Sequence, residues 1–247
     1  QSLISIAGID ALRGVRMDED GTLCIGALSS FSLLEHDPLI LAHCGVLAQA
    51  VGLVGGPQIR NVGTIGGNLC NGVTSADSVS TLHAWDAVLQ LQGPDGVRRI
   101  AARDFCTGHK KTDIRPGEIL TEIRISRESW QDTKGYYIKY AMREALDLAT
   151  LACSLNVRLS PDRRHFDRVR IAYGVAAPVP VRAQSAEAYI AAKPVTEQTV
   201  QEFSHAVLQD IHPRQSWRAS RELRQHLAVE LAQRCLIESV RQCGGKL

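Results

Sequence analysis

The 247-residue chain has no apolar run approaching the roughly 18 residues that a membrane-spanning helix needs, which excludes a conventional helical span. Residues 1 to 15 show no basic leader followed by an apolar segment, so no export signal is read there. Neither a GxGxxG dinucleotide fingerprint nor a glycine-rich loop ending in GKS or GKT is present. The seven cysteines, at 24, 44, 70, 106, 153, 235 and 243, are odd in number and form no CxxC pair. That spacing argues against a zinc or iron-sulfur site in this chain and points to a reducing compartment, the cytoplasm. Charge of one sign is also missing: 28 basic against 26 acidic residues leave a formal charge of +2. The arginine-rich stretches 158–170 and 214–224 are interrupted by Asp162, Asp167 and Glu222, as on a solvated face or a subunit interface rather than a phosphate track. The histidines are scattered without ligand spacing, and there is no credible catalytic triad or carboxylate pair, so no catalytic residue and no metal ligand is assigned.

Against these absences stands one concentrated feature, residues 55–77, GGPQIRNVGTIGGNLCNGVTSAD. Gly55, Gly56, Gly63, Gly66, Gly67 and Gly72 lie among small and amide residues, a composition that permits positive φ and close backbone approach. Asn68, Asn71, Thr74, Ser75 and Asp77 add donors and acceptors for a polar ligand. Glycine content alone divides evenly between a binding loop and a scaffold of tight turns. Cys70 has no activating base near it in sequence and is read as a packing residue.

At 45% hydrophobic, the chain can bury one sizeable core or two moderate ones. Short strands are expected at 2–7, 12–17 and 22–26, with a turn at 18–21. Ser29 or Ser30 would cap a short helix, and apolar residues spaced by threes and fours predict a helix over 39–53 that leads into the glycine segment. A hairpin follows around Gly93-Pro94-Asp95-Gly96, then a basic turn, Gly108-His109-Lys110-Lys111-Thr112, whose composition alone favours solvent exposure. A boundary is expected near 126–133. Beyond it, strands at 135–142, 148–159 and 166–175 precede helices at 181–191, 196–209 and 217–240, making a small α+β domain.

Thr64-Ile65-Gly66-Gly67-Asn68 followed by Asp77 resembles the second flavin loop of the FAD-binding subunits of molybdenum hydroxylases, the group that contains xanthine and carbon monoxide dehydrogenases. Asp104-Phe105, the run 108–112, Gly117-Glu118-Ile119-Leu120, Lys139, and Arg218-Ala219-Ser220 with Arg224 recur in that family's order, and the resemblance covers nearly the whole chain. Asn68-Leu69-Cys70-Asn71-Gly72 and Thr74-Ser75-Ala76-Asp77-Ser78 are most similar to the separate FAD subunit of bacterial xanthine dehydrogenases. His109 departs from the family's usual tyrosine, and the family's earlier amino-terminal Gly-Gly-Thr-Asp type loop for the FAD pyrophosphate would lie before Gln1.

The resemblance implies an α+β fold: a flavin-binding domain of the molybdenum hydroxylase type over 1–128, lacking its amino-terminal segment, then a smaller three-stranded sheet and helix domain over 133–247. It implies that this chain holds FAD, with NAD as electron acceptor, while molybdopterin sits in a large partner subunit and two [2Fe-2S] clusters in a small one. The amino-terminal segment would complete the flavin site. On the same resemblance, Asn68 and Asp77 orient the cofactor. Thr64, Gly66, Gly67 and Asn71 belong to its loop, Leu120 covers the ring with Val54 on the other face, and Lys139 tunes it.

Overall fold

The computed structural model describes residues 3–247. Two sheets organise it, each with its own buried core. In the first region β1 (Val15–Met17) and β2 (Leu23–Gly26) form a hairpin, followed by a run of short helices: α1 (Phe31–His36), α2 (Pro38–His43), α3 (Gly45–Gly52), α4 (Pro57–Val62), α5 (Ile65–Cys70) and α6 (Asp77–Ala84). The hairpin β3 (Val88–Gly93) and β4 (Gly96–Ala101) leads through α7 (Ala102–Phe105) to a small ribbon, β5 (Cys106–Gly108) with β6 (Lys111–Thr112), and then to β7 (Ile119–Ile125). β7 inserts between β2 and β3, giving an antiparallel five-stranded sheet of order β1-β2-β7-β3-β4.

The short helix α8 (Arg127–Trp130) connects to the second sheet. There β8 (Lys134–Tyr140), β9 (Leu151–Leu159), β10 (Phe166–Gly174) and the two-residue β11 (Val181–Arg182) run antiparallel in the order β11-β10-β9-β8. Then α9 (Gln184–Ile190), α10 (Glu197–Ala206) and the 22-residue α11 (Arg221–Gln242) complete the fold, with α11 lying on β8 and β9. Leu227, Leu231, Cys235 and Leu236 form the buried stripe of α11, which Ser220 caps by accepting a hydrogen bond from Leu223 N. No helix among the described residues is long and apolar enough to cross a membrane.

Several expected boundaries shift for identifiable reasons. Ser2 lies outside the described residues, and residues 3–7 form no strand; Leu3 and Ile4 are almost fully exposed and no neighbouring strand pairs with this segment. The strand expected over 12–17 is shortened to Val15–Met17 because Asp10–Leu12 is a 3-10 turn and Gly14 takes φ +87°. The single helix expected over 39–53 is two, broken at Cys44, whose φ of −143° ends α2 and starts α3. The segment 181–191 opens with the edge strand β11, making the second sheet four-stranded rather than three-stranded, and the last helix starts at Arg221 rather than 217.

The two regions meet at α6, which packs on β9 and β10 of the second sheet and against α3, α5 and α7 of the first region. Beyond its end, Asp86, at φ 48°, receives Arg103 from α7, Arg170 from β10 at 2.7 Å and Arg182 from β11. Thr74 adds a second tie, donating to Ala177 O and accepting from Val175 N, each at 3.1 Å. These polar links fix the region that carries Asp77 against the β10–β11 side of the sheet whose β8 carries Lys139.

Candidate flavin site

The glycine-rich segment is helical over much of its length. Pro57 at the start of α4 supplies a preset φ where no N–H is needed, and Thr64 caps α5 by accepting from Gly67 N at 3.2 Å. The remaining amides at the start of α5 are taken up within the protein: Ile65 N by Ser29 O, Gly66 N by Ala27 O and Asn68 N by Thr64 O. Gly66 seats the helix on its neighbour, since a Cβ there would lie 2.7 Å from both the Cβ and the carbonyl oxygen of Ala27. Gly67 is exposed, and the same added atom would meet only Thr64 Oγ1. Gly72 takes φ +62° and accepts Lys110 N at 2.8 Å, which docks the 108–112 turn onto the end of α5.

Asp77 opens α6 and is buried. Its Oδ2 accepts from Lys139 Nζ at 2.8 Å, and its Oδ1 accepts from the Tyr137 hydroxyl at 2.9 Å. Both side chains of the ion pair are 7% exposed. Lys139 Nζ also donates to Leu53 O at 3.0 Å, tying β8 to the turn after α3 where half-buried Val54 sits. That turn is braced by Arg60, which bonds Glu35 at 3.0 Å. Burial raises the Asp77 carboxyl above its ordinary value, and Lys139 and Tyr137 oppose that rise. Burial also pushes the Tyr137 phenol well above its usual range, so it remains a donor.

Lys139 is therefore held in place by a buried counter-ion and a backbone carbonyl. Asp77 and Lys139, 62 residues apart, are brought together by α6 packing on the second sheet. Asn68 Oδ1 accepts from Ser78 Oγ at 2.7 Å, which fixes its amide; among the described residues the Asn68 nitrogen has no protein acceptor. Asn71 is exposed beyond α5, and Leu120 is 5% exposed at the start of β7, against which α5 packs. Beside the pair, Leu53, Lys139 and the loop 140–147 line a cavity of about 330 Å³. Asp147 closes that loop by accepting from the backbone N–H groups of Met142, Arg143 and Leu148.

Two site residues escaped the sequence reading. Tyr137 lies two positions before Lys139 on the same strand face, so the period of a β-strand carried the signal. The Leu53 carbonyl has no side-chain signature at all. Elsewhere, His83 is buried and pushed down to about 4 chiefly by desolvation, which leaves it neutral near pH 7. Desolvation, with Cys106 nearby, raises the Cys70 thiol to about 11, so it offers no thiolate for chemistry.

The residues present fit a flavin. Half-buried Val54 can face a flat ring, the amide nitrogen of Asn68 and exposed Asn71 can meet polar edges, and the held Lys139–Asp77 pair supplies fixed charge, whereas Leu120 lies in the buried core in this structure.

Comparison with known proteins identifies the family. Residues 1–127 match the FAD binding domain in molybdopterin dehydrogenase, and residues 136–239 match the CO dehydrogenase flavoprotein C-terminal domain. A xanthine dehydrogenase FAD-binding subunit of Escherichia coli O157:H7 is 40% identical over 245 residues, covering 99% of this chain and 83% of that protein. The carbon monoxide dehydrogenase medium chain of Hydrogenophaga pseudoflava is 29% identical over 243 residues, covering 98% of this chain and 83% of its own length. A solved structure of carbon monoxide dehydrogenase from the same organism superposes with TM-score 0.87 at 30% identity, covering 94% of this chain and 79% of that one. With both halves of the chain matched in order and its architecture shared with a solved relative, the chain belongs to the molybdopterin dehydrogenase flavoprotein family and is an FAD-binding electron-transfer subunit of a molybdenum-hydroxylase-type enzyme.

Proposed function

We propose that this chain serves a xanthine-type dehydrogenase, taking electrons from [2Fe-2S] clusters of a small partner, themselves supplied by a molybdopterin centre in a large partner, and delivering them to NAD. The observation that carries this reading is the held Asp77–Lys139 pair within a chain 40% identical to a xanthine dehydrogenase FAD-binding subunit. FAD, when bound, joins one-electron carriers to two-electron hydride transfer. The protein's part is placement. Asn68 and Asp77 orient the cofactor, and Thr64 and Gly66 hold α5 in position for them. Gly67 and Asn71 present an open edge, Val54 gives apolar cover, and Lys139 sets the local field. We place the domain boundary between 128 and 133, where α8 and its following turn separate the two sheets. A reducing cytoplasm suits the seven free cysteines.

A second reading, a complex acting on another heterocycle, an aldehyde or carbon monoxide, is favoured by the close superposition on carbon monoxide dehydrogenase. Anaerobic rapid mixing of the purified complex with xanthine, then with NAD, separates the two. The first reading expects flavin bleaching by xanthine followed by flavin recovery with NADH formation. Bleaching by another substrate alone favours the second, and a bleached flavin that ignores NAD removes NAD as acceptor.

A further inference from the structure

The buried tyrosine beneath the ion pair has a role that the flavin reading does not itself assign. We propose that Tyr137 is a positioning residue of the flavin site, its hydroxyl clamping Asp77 Oδ1 so that Oδ2 stays ionised and paired with Lys139. This inference rests on the flavin reading.

The geometry carries it. Tyr137, on β8 and paired with Ser154 of β9, is 4% exposed, with its hydroxyl 2.9 Å from the Asp77 carboxylate at the start of α6. The Asp77 carboxylate has one strong donor on each oxygen: the phenol on Oδ1 and the ammonium on Oδ2. Lys139 is in turn held by Leu53 O, so the chain Tyr137–Asp77–Lys139–Leu53 crosses from the second sheet to α6, back to β8 and on to the turn beside Val54. The charged or titratable groups acting on Asp77 are Lys139 and Tyr137, both from β8; those acting on Tyr137 also include Cys153 of β9 and Cys235 of α11, which belong to the second buried core. Burial already works against the Asp77 charge. Without the phenol, the carboxylate keeps only the lysine, takes up a proton at higher pH and releases Lys139 from its fixed place.

The test uses the assembled holoenzyme and reads flavin release, not turnover, by the rise in free-flavin fluorescence as pH is lowered. In Tyr137→Phe the ring and its packing remain, so occupancy near pH 8 should match the unaltered complex, while the release midpoint moves up by about one pH unit. Replacing Tyr137 by 3,5-difluorotyrosine, a stronger donor of nearly the same shape, should move the midpoint down. Opposite shifts from two conservative changes are not expected of a residue that only fills space. An unmoved midpoint in both variants, or flavin lost from Tyr137→Phe equally at every pH, overturns the positioning role. An unaltered complex with no flavin at any pH overturns the flavin reading and this inference with it.

Discussion

Replacing Lys139 by methionine is expected to destabilise the chain by about 3 to 5 kcal/mol at neutral pH, far more than removing a surface ion pair would. The reason is the burial of its partner. Asp77 and Lys139 are each 7% exposed, so removing the ammonium leaves a carboxylate that water reaches poorly. The variant can recover part of the loss by protonating Asp77, which gives the effect a defined pH dependence. Burial raises the folded-state value of Asp77 even with Lys139 in place, and losing the lysine raises it further. A carboxyl whose folded value exceeds its unfolded one contributes most stability at low pH, where it is protonated in both states, and loses it as pH rises through the folded value. The difference between variant and parent should therefore grow as pH rises above the ordinary aspartate range and then level off. Urea unfolding at a series of pH values measures it. Asp77→Asn combined with Lys139→Met should cost less than Lys139→Met alone, because the pair is then replaced by two neutral side chains. Equal losses in the single and double variants, or no pH dependence, would contradict the buried-pair account.

Arg224→Ala should be the other severe change, with a loss of at least about 3 kcal/mol. Arg224 is 1% exposed, and its guanidinium donates to Thr150 O, Ala219 O, Arg214 O and Ser216 Oγ. Removing it takes the guanidinium donor from the Thr150 and Arg214 carbonyls and from Ser216 Oγ, leaving Ala219 O with Ser216 N, and opens a cavity beneath residues 213–220. Thr150 N in turn donates to Tyr140 O, beside the loop that lines the pocket, so the damage should spread toward Lys139. Thermal unfolding of the parent, Arg224→Ala and Arg224→Lys gives the measure. The lysine variant should rescue only partly, since an ammonium cannot match the planar fork that reaches four acceptors. A near-normal melting temperature for Arg224→Ala would remove this arginine from the framework.

The sequence was informative about which residues to suspect and less so about how they meet. Asp77 and Lys139 were both singled out, through their resemblance to a flavin loop and a flavin-proximal strand, yet their ion pair depends on α6 lying against a sheet formed more than 50 residues later. No local pattern encodes that encounter. The opposite problem arises at 55–77, where glycine and asparagine lower helix propensity and the segment reads as loop. Thr64 at the N-cap, Pro57 at the first turn of α4 and the fit of Gly66 on Ala27 let short helices form there, held by tertiary contacts rather than by propensity. The central strand of the second sheet was more legible because β9 is buried on both faces over Leu151–Val157 and reads as a largely apolar run. The break at Cys44 was not, since the apolar spacing continues across it while the backbone does not.

The central claim, that flavin is held by the residues gathered around Asp77, is tested most directly by the flavin-to-protein absorbance ratio of the assembled complex after identical purification of the parent, Asn68→Ala, Asp77→Ala and Cys70→Ser. Asn68 is fixed by Ser78 with its amide nitrogen free, whereas Cys70 carries a protonated thiol at the end of α5. Loss of a buried hydrogen-bonding group is worth roughly 1 to 3 kcal/mol, enough to empty a large share of sites at modest flavin concentration. The account predicts a clearly lower ratio for Asn68→Ala and Asp77→Ala and an unchanged one for Cys70→Ser. Full flavin in both polar variants, with folded content equal to the parent, would contradict it.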